Sequence, residues 1–122
     1  MTDYEVKVTE ASVELTPRDR IKVKDTTDAI ALDKATQEDA VIISVAWYAV
    51  LDIHNEKGED KDYRTYIIVD TDGTRYKTGS SSFWNAFMNI FSELEGEQFD
   101  IKVYRMPSKN RQGKDFITCS LV

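Results

Sequence analysis

The segment VIISVAWYAVLDIHN, residues 41–55, constrains the fold more than any other part of this sequence. Its odd-numbered positions up to 53 are all apolar, and its even-numbered positions end in Tyr48, Val50, Asp52 and His54. An apolar residue at every second position is typical of a β-strand with one face on a core. The sequence therefore predicts a long strand whose odd-numbered side chains point inward and whose even-numbered face is partly exposed to water.

The rest of the chain predicts further strands and one helix. Apolar–polar alternation predicts strands in RIKVKD (20–25), YRTYIIVD (63–70), TRYKT (74–78), FDIKVYR (99–105) and DFITCSLV (115–122), with a brief strand near Ile30 and Leu32. Between the strands, GSSSFWNAFMNIFSELEG places Phe83, Phe87 and Phe91 at helical spacing, which indicates an amphipathic helix that buries these rings. Ser81 or Ser82 can cap its start, and Gly96 can end it in a left-handed conformation.

The order of these elements predicts the fold class. The order strand, long strand, paired strand, helix, strand, strand matches the OB-fold, a five-stranded antiparallel barrel with one α-helix between its third and fourth strands. We therefore expect a mainly β protein with a single domain over residues 1–122, in which the acidic residues 1–19 form a weakly ordered N-terminal extension. An α+β sheet with one covering helix is the alternative.

Composition excludes several classes of protein. The N-terminus is charged, no apolar run approaches the roughly 20 residues that span a bilayer, and the single cysteine, Cys119, allows no internal disulfide. These features favour a cytoplasmic protein with no membrane partner. The net charge of −6 argues against coating nucleic acid by bulk electrostatics, but the charge is uneven. Residues 101–114 carry five Lys or Arg and no acidic residue.

Enzymatic chemistry has little support in the sequence. The only histidine, His54, lacks a second histidine or a partnered cysteine, so a general base or a metal site is a weak interpretation. Cys119 alternates with Ile117 and Leu121, which predicts a small core residue rather than a nucleophile. Phosphate-binding glycine loops and serine-elbow motifs are absent from the sequence. The sequence predicts no enzyme and no cofactor.

Aromatic and basic residues that alternate with the core positions are more informative. If the apolar faces of residues 99–105 and 115–122 point inward, Tyr104 and Phe116 lie on an outer surface beside Lys102. The same reasoning places Tyr48 and Tyr66 on an outer surface, with Arg64 on the same face as Tyr66. Unpaired bases stack on such rings, and flanking cations follow the phosphates. The candidate nucleic-acid-binding residues are Tyr48, Arg64, Tyr66, Tyr76, Lys102, Tyr104, Arg105, Lys109, Arg111, Lys114 and Phe116. Alternatively, these tyrosines are amphipathic residues at the rim of a small barrel.

The C-terminal half also resembles a known family. The segments DGTRYKTGSSSF and FDIKVYRMPSKNRQGKDFITCSL, with the aromatic helix between them, resemble the small single-stranded-DNA-binding proteins of tailed phages of Gram-positive bacteria. The resemblance covers roughly residues 63–122. It implies an OB-fold that coats single-stranded DNA in phage replication, in the host cytoplasm, without sequence preference or cofactor. It supports a DNA role for the positions that match, which are Tyr76, Lys102, Tyr104, Lys109, Lys114 and Phe116.

Three functions therefore compete. The first is sequence-independent binding of single-stranded DNA in DNA replication, with a second copy of the chain and replication proteins as further partners. The second is a protein–protein interaction module on the same small barrel, with no affinity for nucleic acid and with the acidic residues 1–62 at its interface. The third is an enzyme with His54 as its base, which the residues favour least.

Overall fold

A computed structural model describes residues 4–57, 62–107 and 115–122 of the chain. The strands are β1 (Tyr4–Ala11), β2 (Ile30–Ala31), β3 (Val41–Asn55), β4 (Asp62–Asp70), β5 (Arg75–Thr78), β6 (Phe99–Pro107) and β7 (Asp115–Leu121). The helices are α1 (Pro17–Lys24), α2 (Leu32–Ala35) and α3 (Ser81–Glu93), with one 3₁₀ turn (Thr26–Asp28). No helix in these ranges is long and apolar enough to cross a membrane.

The long strand β3 organises one curled, half-barrel sheet. Along one edge it pairs with β4, and along the other edge it pairs first with β6 and then with β1, all antiparallel. The strand order is β2-β5-β4-β3-β6-β7, and β1 lies off this path on β3. Side chains of β3 belong to two buried cores, one on each face of the sheet.

A β-bulge in β3 exchanges the two faces partway along the strand. The pairing with β4 shifts between Val45 and Trp47, so one extra residue inverts the alternation there. Before the bulge, Ile43 and Val45 lie in the core that contains α3; after it, Tyr48 takes that side, and Trp47 joins the opposite core. The prediction of one continuous odd-numbered core face is therefore wrong beyond Val45.

We call the side of the sheet covered by α3 the inner face and the opposite side the outer face. The predicted helix is confirmed: the Ser80 hydroxyl accepts from the Phe83 amide at its start, and Gly96 has φ +88° just after its end. Ser80 rather than Ser81 or Ser82 is thus the cap. Phe83 and Phe87 are fully buried against the inner faces of β3, β4, β6 and β7.

The outer core is smaller and rests on α1 and β1. Val23 of α1 packs with side chains of β3 and β4 such as Leu51 and Ile67. The sequence predicted a strand at residues 20–25, but the Thr16–Asp19 capping box with Pro17 in the first turn starts a helix. The N-terminal segment, expected to be weakly ordered, forms β1 from Tyr4 onward and pairs with β3.

The mainly β, barrel-like architecture agrees with the prediction, whereas the count of five strands and one helix does not. The structure adds β1, α1 and α2, and it contains the brief strand expected near Ile30 as β2. In the described chain, β5 pairs in parallel with β2, and β7 pairs with β6 alone, so no pairing joins β5 to β7. On β7, Ile117 and Cys119 are buried as predicted, but Leu121 is exposed because it lies at the end of an edge strand.

Candidate nucleic-acid interface

The outer face of β6 and β7 brings together the predicted residues that remain accessible. Tyr104 is half-buried and pairs with Thr118, and Phe116, 38% exposed, pairs with Met106, 42% exposed. Lys102 lies one step along β6 from Tyr104, with its Nζ 6.0 Å from the centre of the Tyr104 ring. Both rings therefore lie on the outer face, as the alternation predicts.

Two neighbouring groups define the extent of this surface. Ile42 of β3 is directly opposite Lys102 and 51% exposed, and the Tyr104 hydroxyl shares a 2.7 Å hydrogen bond with Ser120 Oγ. We call Ile42, Lys102, Tyr104, Met106 and Phe116 the β6–β7 outer patch. One carboxylate, Asp100, lies on the same face beyond Lys102. The Tyr104 ring therefore has a hydroxyl partner and a nearby cation on this surface.

This patch has the chemistry that unpaired nucleobases require. An aromatic ring offers each base a stacking partner worth about 1–3 kcal/mol, whatever the base is. Lys102 supplies one positive charge for a phosphate beside that ring. Exposed apolar atoms of Ile42 and Met106 extend the surface on either side. The same atoms would also suit a protein partner.

Tyr48 lies elsewhere, and its predicted outward position is wrong. The residue is 5% exposed, and its ring packs edge-on against those of Trp84 and Phe91, each 5.0 Å away between centroids. Its hydroxyl donates a 2.5 Å hydrogen bond to Glu10 Oε2. Burial, followed by this carboxylate, raises the pKa of Tyr48 to about 12. The bulge in β3 causes the error, because it turns Tyr48 toward α3.

Tyr66 and Tyr76 also face the inner core. The Tyr66 ring is half-buried and stacks on Trp84 with centroids 4.4 Å apart and planes 9° from parallel. One ring face is thus already occupied. Tyr76 of β5 is directly opposite Ile68 and packs against the same core, and burial raises its pKa. Neither ring joins the β6–β7 outer patch, so the expected aromatic set divides between two faces of the sheet.

The two predicted arginines in the described chain are already engaged. Arg64 is exposed, but its Nε donates a 2.8 Å hydrogen bond to Asp52 Oδ1, a contact that lowers the pKa of Asp52. Arg105 is directly opposite Ile117 and so faces inward, where its Nη2 donates to the carbonyl oxygen of Asp33 in α2. Arg105 therefore ties β6 to α2, away from Tyr104.

The remaining predicted cations fall in the connection between β6 and β7. Lys109, Arg111 and Lys114 lie outside the described residues. The described ends of this connection are Pro107 and Asp115, which are directly opposite each other in the ladder. These described ends lie at the end of the sheet where Phe116 and Met106 are exposed.

A second polar surface lies on β1, β3 and β4, beyond the end of α3. Glu5, His54 and Asp62 are paired side by side across the three strands, followed by Lys7, Asp52 and Arg64. They line an open cavity of about 730 Å³. His54 Nδ1 is 2.7 Å from Asp62 Oδ1 and Nε2 is 2.6 Å from Glu56 Oε1, contacts that raise the pKa of His54. Both ring nitrogens are thus engaged by carboxylates, which leaves neither available as a base.

Sequence reasoning missed two members of the outer patch. Ile42 and Met106 were not proposed as surface residues, although both lie at positions where an alternating strand turns outward. For Met106, the signal was its position two residues after Tyr104. For Ile42, the strongly apolar run around it concealed the signal.

Within residues 4–57, 62–107 and 115–122, no group of three or more His, Cys, Asp or Glu side chains could hold a metal ion. No protein-family model, no curated protein and no solved structure matches this chain.

Proposed function

We propose that this protein binds single-stranded DNA without sequence preference, through the β6–β7 outer patch, and acts in phage DNA replication. One observation carries the proposal: Tyr104 and Phe116 lie accessible on adjacent strands, with Lys102 beside the first ring. The connection between these strands holds Lys109, Arg111 and Lys114. The order β3, β4, β5, α3, β6, β7 supports an OB-like arrangement for this binding surface.

The proposed site is smaller than the set expected from the sequence. Tyr48, Tyr66 and Tyr76 are assigned to the inner core, and Arg64 and Arg105 to internal contacts. The DNA-contacting residues in the proposal are therefore Lys102, Tyr104, Phe116, Lys109, Arg111 and Lys114. Base stacking on two rings would contribute about 2–6 kcal/mol in total, and the cations add a contribution that falls as salt is raised.

A fluorescence titration with oligo-dT at two salt concentrations tests the proposal. We expect quenching of the intrinsic fluorescence and an affinity that falls steeply between 50 and 200 mM salt. In a plot of the logarithm of the binding constant against the logarithm of the salt concentration, each neutralised phosphate should contribute about 0.7 to the steepness of the slope. Tyr104→Ala and Phe116→Ala should each weaken binding roughly 5- to 150-fold, which corresponds to 1–3 kcal/mol.

Tyr4→Ala is the matched control. Tyr4 is an exposed tyrosine on β1, which pairs with the opposite end of β3 from β6. This variant should bind oligo-dT as the unchanged protein does. Equal weakening by Tyr4→Ala and Tyr104→Ala, or no binding at low salt by the unchanged protein, would contradict the proposal.

A protein-interaction module is the second candidate, and the apolar part of the patch favours it. Ile42 and Met106 are both about half exposed, and base stacking alone does not need them. An aliphatic side chain in this position suits the core of a protein interface. A pull-down partner that survives nuclease treatment and is lost in Ile42→Ser, in a protein with no affinity for oligo-dT, would favour this function instead.

A further inference from the structure

Helix α1 carries a basic surface that neither its folding nor its packing requires. Arg18, Arg20, Lys22 and Lys24 are all exposed, and none forms an ion pair with another described residue. They occupy four of the eight helical positions in the more acidic half of a chain with net charge −6. Because the spacing is every second residue, the sequence suggested a strand, and the helix was recognised only in the structure.

Three acidic side chains near α1 are used for local contacts, and a fourth, Glu14, lines the same groove as Arg20 and Lys24. Asp19 accepts from the Thr16 amide in the capping box, and Asp25 accepts from the Thr27 hydroxyl at 2.5 Å. Asp28 pairs with Arg75 at 3.5 Å. These three carboxylates therefore contact backbone amides, a hydroxyl and the largely buried Arg75. The four cations of α1 are left for solvent or a ligand.

Helix stability does not explain all four cations. Lys22 and Lys24 lie in the last turn, where positive charge interacts favourably with the helix dipole. Arg18 and Arg20 lie in the first half, where positive charge is unfavourable. In addition, Arg18 with Lys22 and Arg20 with Lys24 are like-charge pairs four residues apart, an arrangement that destabilises a helix. The two arginines therefore oppose the helix that they belong to.

The helix is anchored to the sheet through its buried side, and its four cations stay exposed to solvent. Val23 is almost fully buried in the outer core. From β5, Arg75 donates to the carbonyl oxygen of Lys22, and Lys77 Nζ donates to that of Thr26 at 2.8 Å. One apolar contact and one hydrogen bond hold α1, and a second hydrogen bond holds the 3₁₀ turn after it. Residues two apart lie about 200° apart around a helix, so the cations form two rows, Arg18 with Lys22 and Arg20 with Lys24, on either side of α1.

Helix α1 and the β6–β7 outer patch lie on the same face of one sheet. The outer core beneath α1 includes Trp47 of β3, and on the other side of the bulge the outward residue of β3 is Ile42, beside Lys102. A chain that follows the outer face from the patch across β3 thus reaches α1. Asp100, directly opposite Ser44, lies on this path, and its negative charge opposes phosphate contact at that point.

We infer that α1 is a second phosphate-contacting surface, which holds the backbone of the same single-stranded DNA through Arg18, Arg20, Lys22 and Lys24. This inference rests on the proposed function. A membrane surface fits less well, because α1 exposes only one large apolar side chain, Ile21, at 71%. A helix that binds a bilayer needs an apolar face along its length. Stacking on the outer patch and phosphate contact on α1 are separate contributions to one binding event.

The test compares two double variants that each remove two positive charges. Arg18→Gln with Arg20→Gln changes α1, and Lys34→Gln with Lys57→Gln changes exposed lysines in α2 and after β3. Oligo-dT is titrated at four salt concentrations. We expect the α1 variant to lower the salt slope by about 1.4, at about 0.7 for each lost phosphate contact, with quenching at saturation unchanged. Its melting temperature should be unchanged or slightly higher.

Three other results would each contradict either the role of α1 or both proposals. Equal salt slopes for the two double variants would overturn the role of α1 and leave stacking on Tyr104 intact. No binding by the unchanged protein would overturn both proposals. Vesicles that contain phosphatidylserine form a further arm. If they bind the protein, and the α1 variant loses that binding while its oligo-dT slope stays unchanged, the partner of α1 is a membrane and not DNA.

Discussion

Replacement of Tyr48 separates a core role from a DNA-binding role most sharply. The sequence suggested a stacking residue, whereas the structure buries the ring among Trp84, Phe87 and Phe91. Removal of a buried aromatic side chain costs about 3–5 kcal/mol, through lost burial and the cavity that remains. For a domain of this size, we expect Tyr48→Ala to lower the melting temperature by roughly 10–20 °C.

A conservative variant isolates the hydroxyl. Tyr48→Phe keeps the three ring contacts and loses only the bond to Glu10, so we expect a cost of about 1–2 kcal/mol. The pKa of Tyr48 is about 12 in the folded protein and near 10 when unfolded, so its neutral form stabilises the fold below pH 10. That contribution is lost as the pH rises from 10 to 12. Tyr48→Phe should lack this part of the alkaline loss.

The assay is urea unfolding, with oligo-dT binding measured on the same samples. Tyr48→Ala should retain its affinity for oligo-dT at temperatures where it is folded, whereas Tyr104→Ala should lose affinity and little stability. A cost below about 1 kcal/mol for Tyr48→Ala would refute the core assignment. So would a loss of DNA affinity in Tyr48→Phe at unchanged stability.

Two further predictions concern single titrating groups. His54 is the only histidine, so its ring should titrate in NMR with a midpoint above 6.5. Because its pKa is raised in the folded protein, the charged form stabilises the β3–β4 hairpin at low pH. This contribution is lost as the pH rises through that midpoint. Asp62→Asn should lower the midpoint, and an unchanged midpoint would contradict the observed contact. Burial raises the pKa of the Cys119 thiol from 9.0 to about 12, so the neutral thiol stabilises the fold at neutral pH and this contribution is lost between pH 9 and 12. In urea unfolding, Cys119→Ala should lose less stability than the unchanged protein over that range, and equal losses would show that the thiol is not buried.

Local patterns predicted the elements whose apolar residues follow a single helical or strand period from end to end. The aromatic spacing from Phe83 to Phe91 gave α3, because a helix that covers a sheet needs one continuous apolar stripe. The alternation in β6 and β7 placed Val103 and Cys119 inside and Tyr104 outside for the equivalent reason.

The pattern in β3 could not be interpreted correctly without its neighbours. Both of its faces are buried, so apolar residues occur at odd and even positions alike, and the bulge near Val45 leaves no polar marker in the sequence. Tyr48 was misplaced for that reason. The position of a bulge depends on the pairing with β4, which the residues of β3 alone do not specify.

The error at α1 had a local signal that was available. Thr16, Pro17 and Asp19 form a helix start, with a capping box and a proline in the first turn. The alternation of basic and apolar residues from Arg20 onward concealed it, because three cations at every second position also suit an edge strand. Packing favours the helix over the strand, because of the two apolar residues in this segment only Val23 is buried, whereas Ile21 is exposed.

Photochemical cross-linking with an oligonucleotide that contains 5-iododeoxyuridine tests the central claim most directly. A ring stacked on the iodinated base is the favoured site of attachment, so the position of the cross-link identifies the stacking residues. We expect cross-links at Tyr104 or Phe116, reduced by excess oligo-dT and by high salt. Cross-links confined to Tyr4 or Tyr63, which are exposed tyrosines on β1 and β4, or no cross-link at low salt, would contradict it.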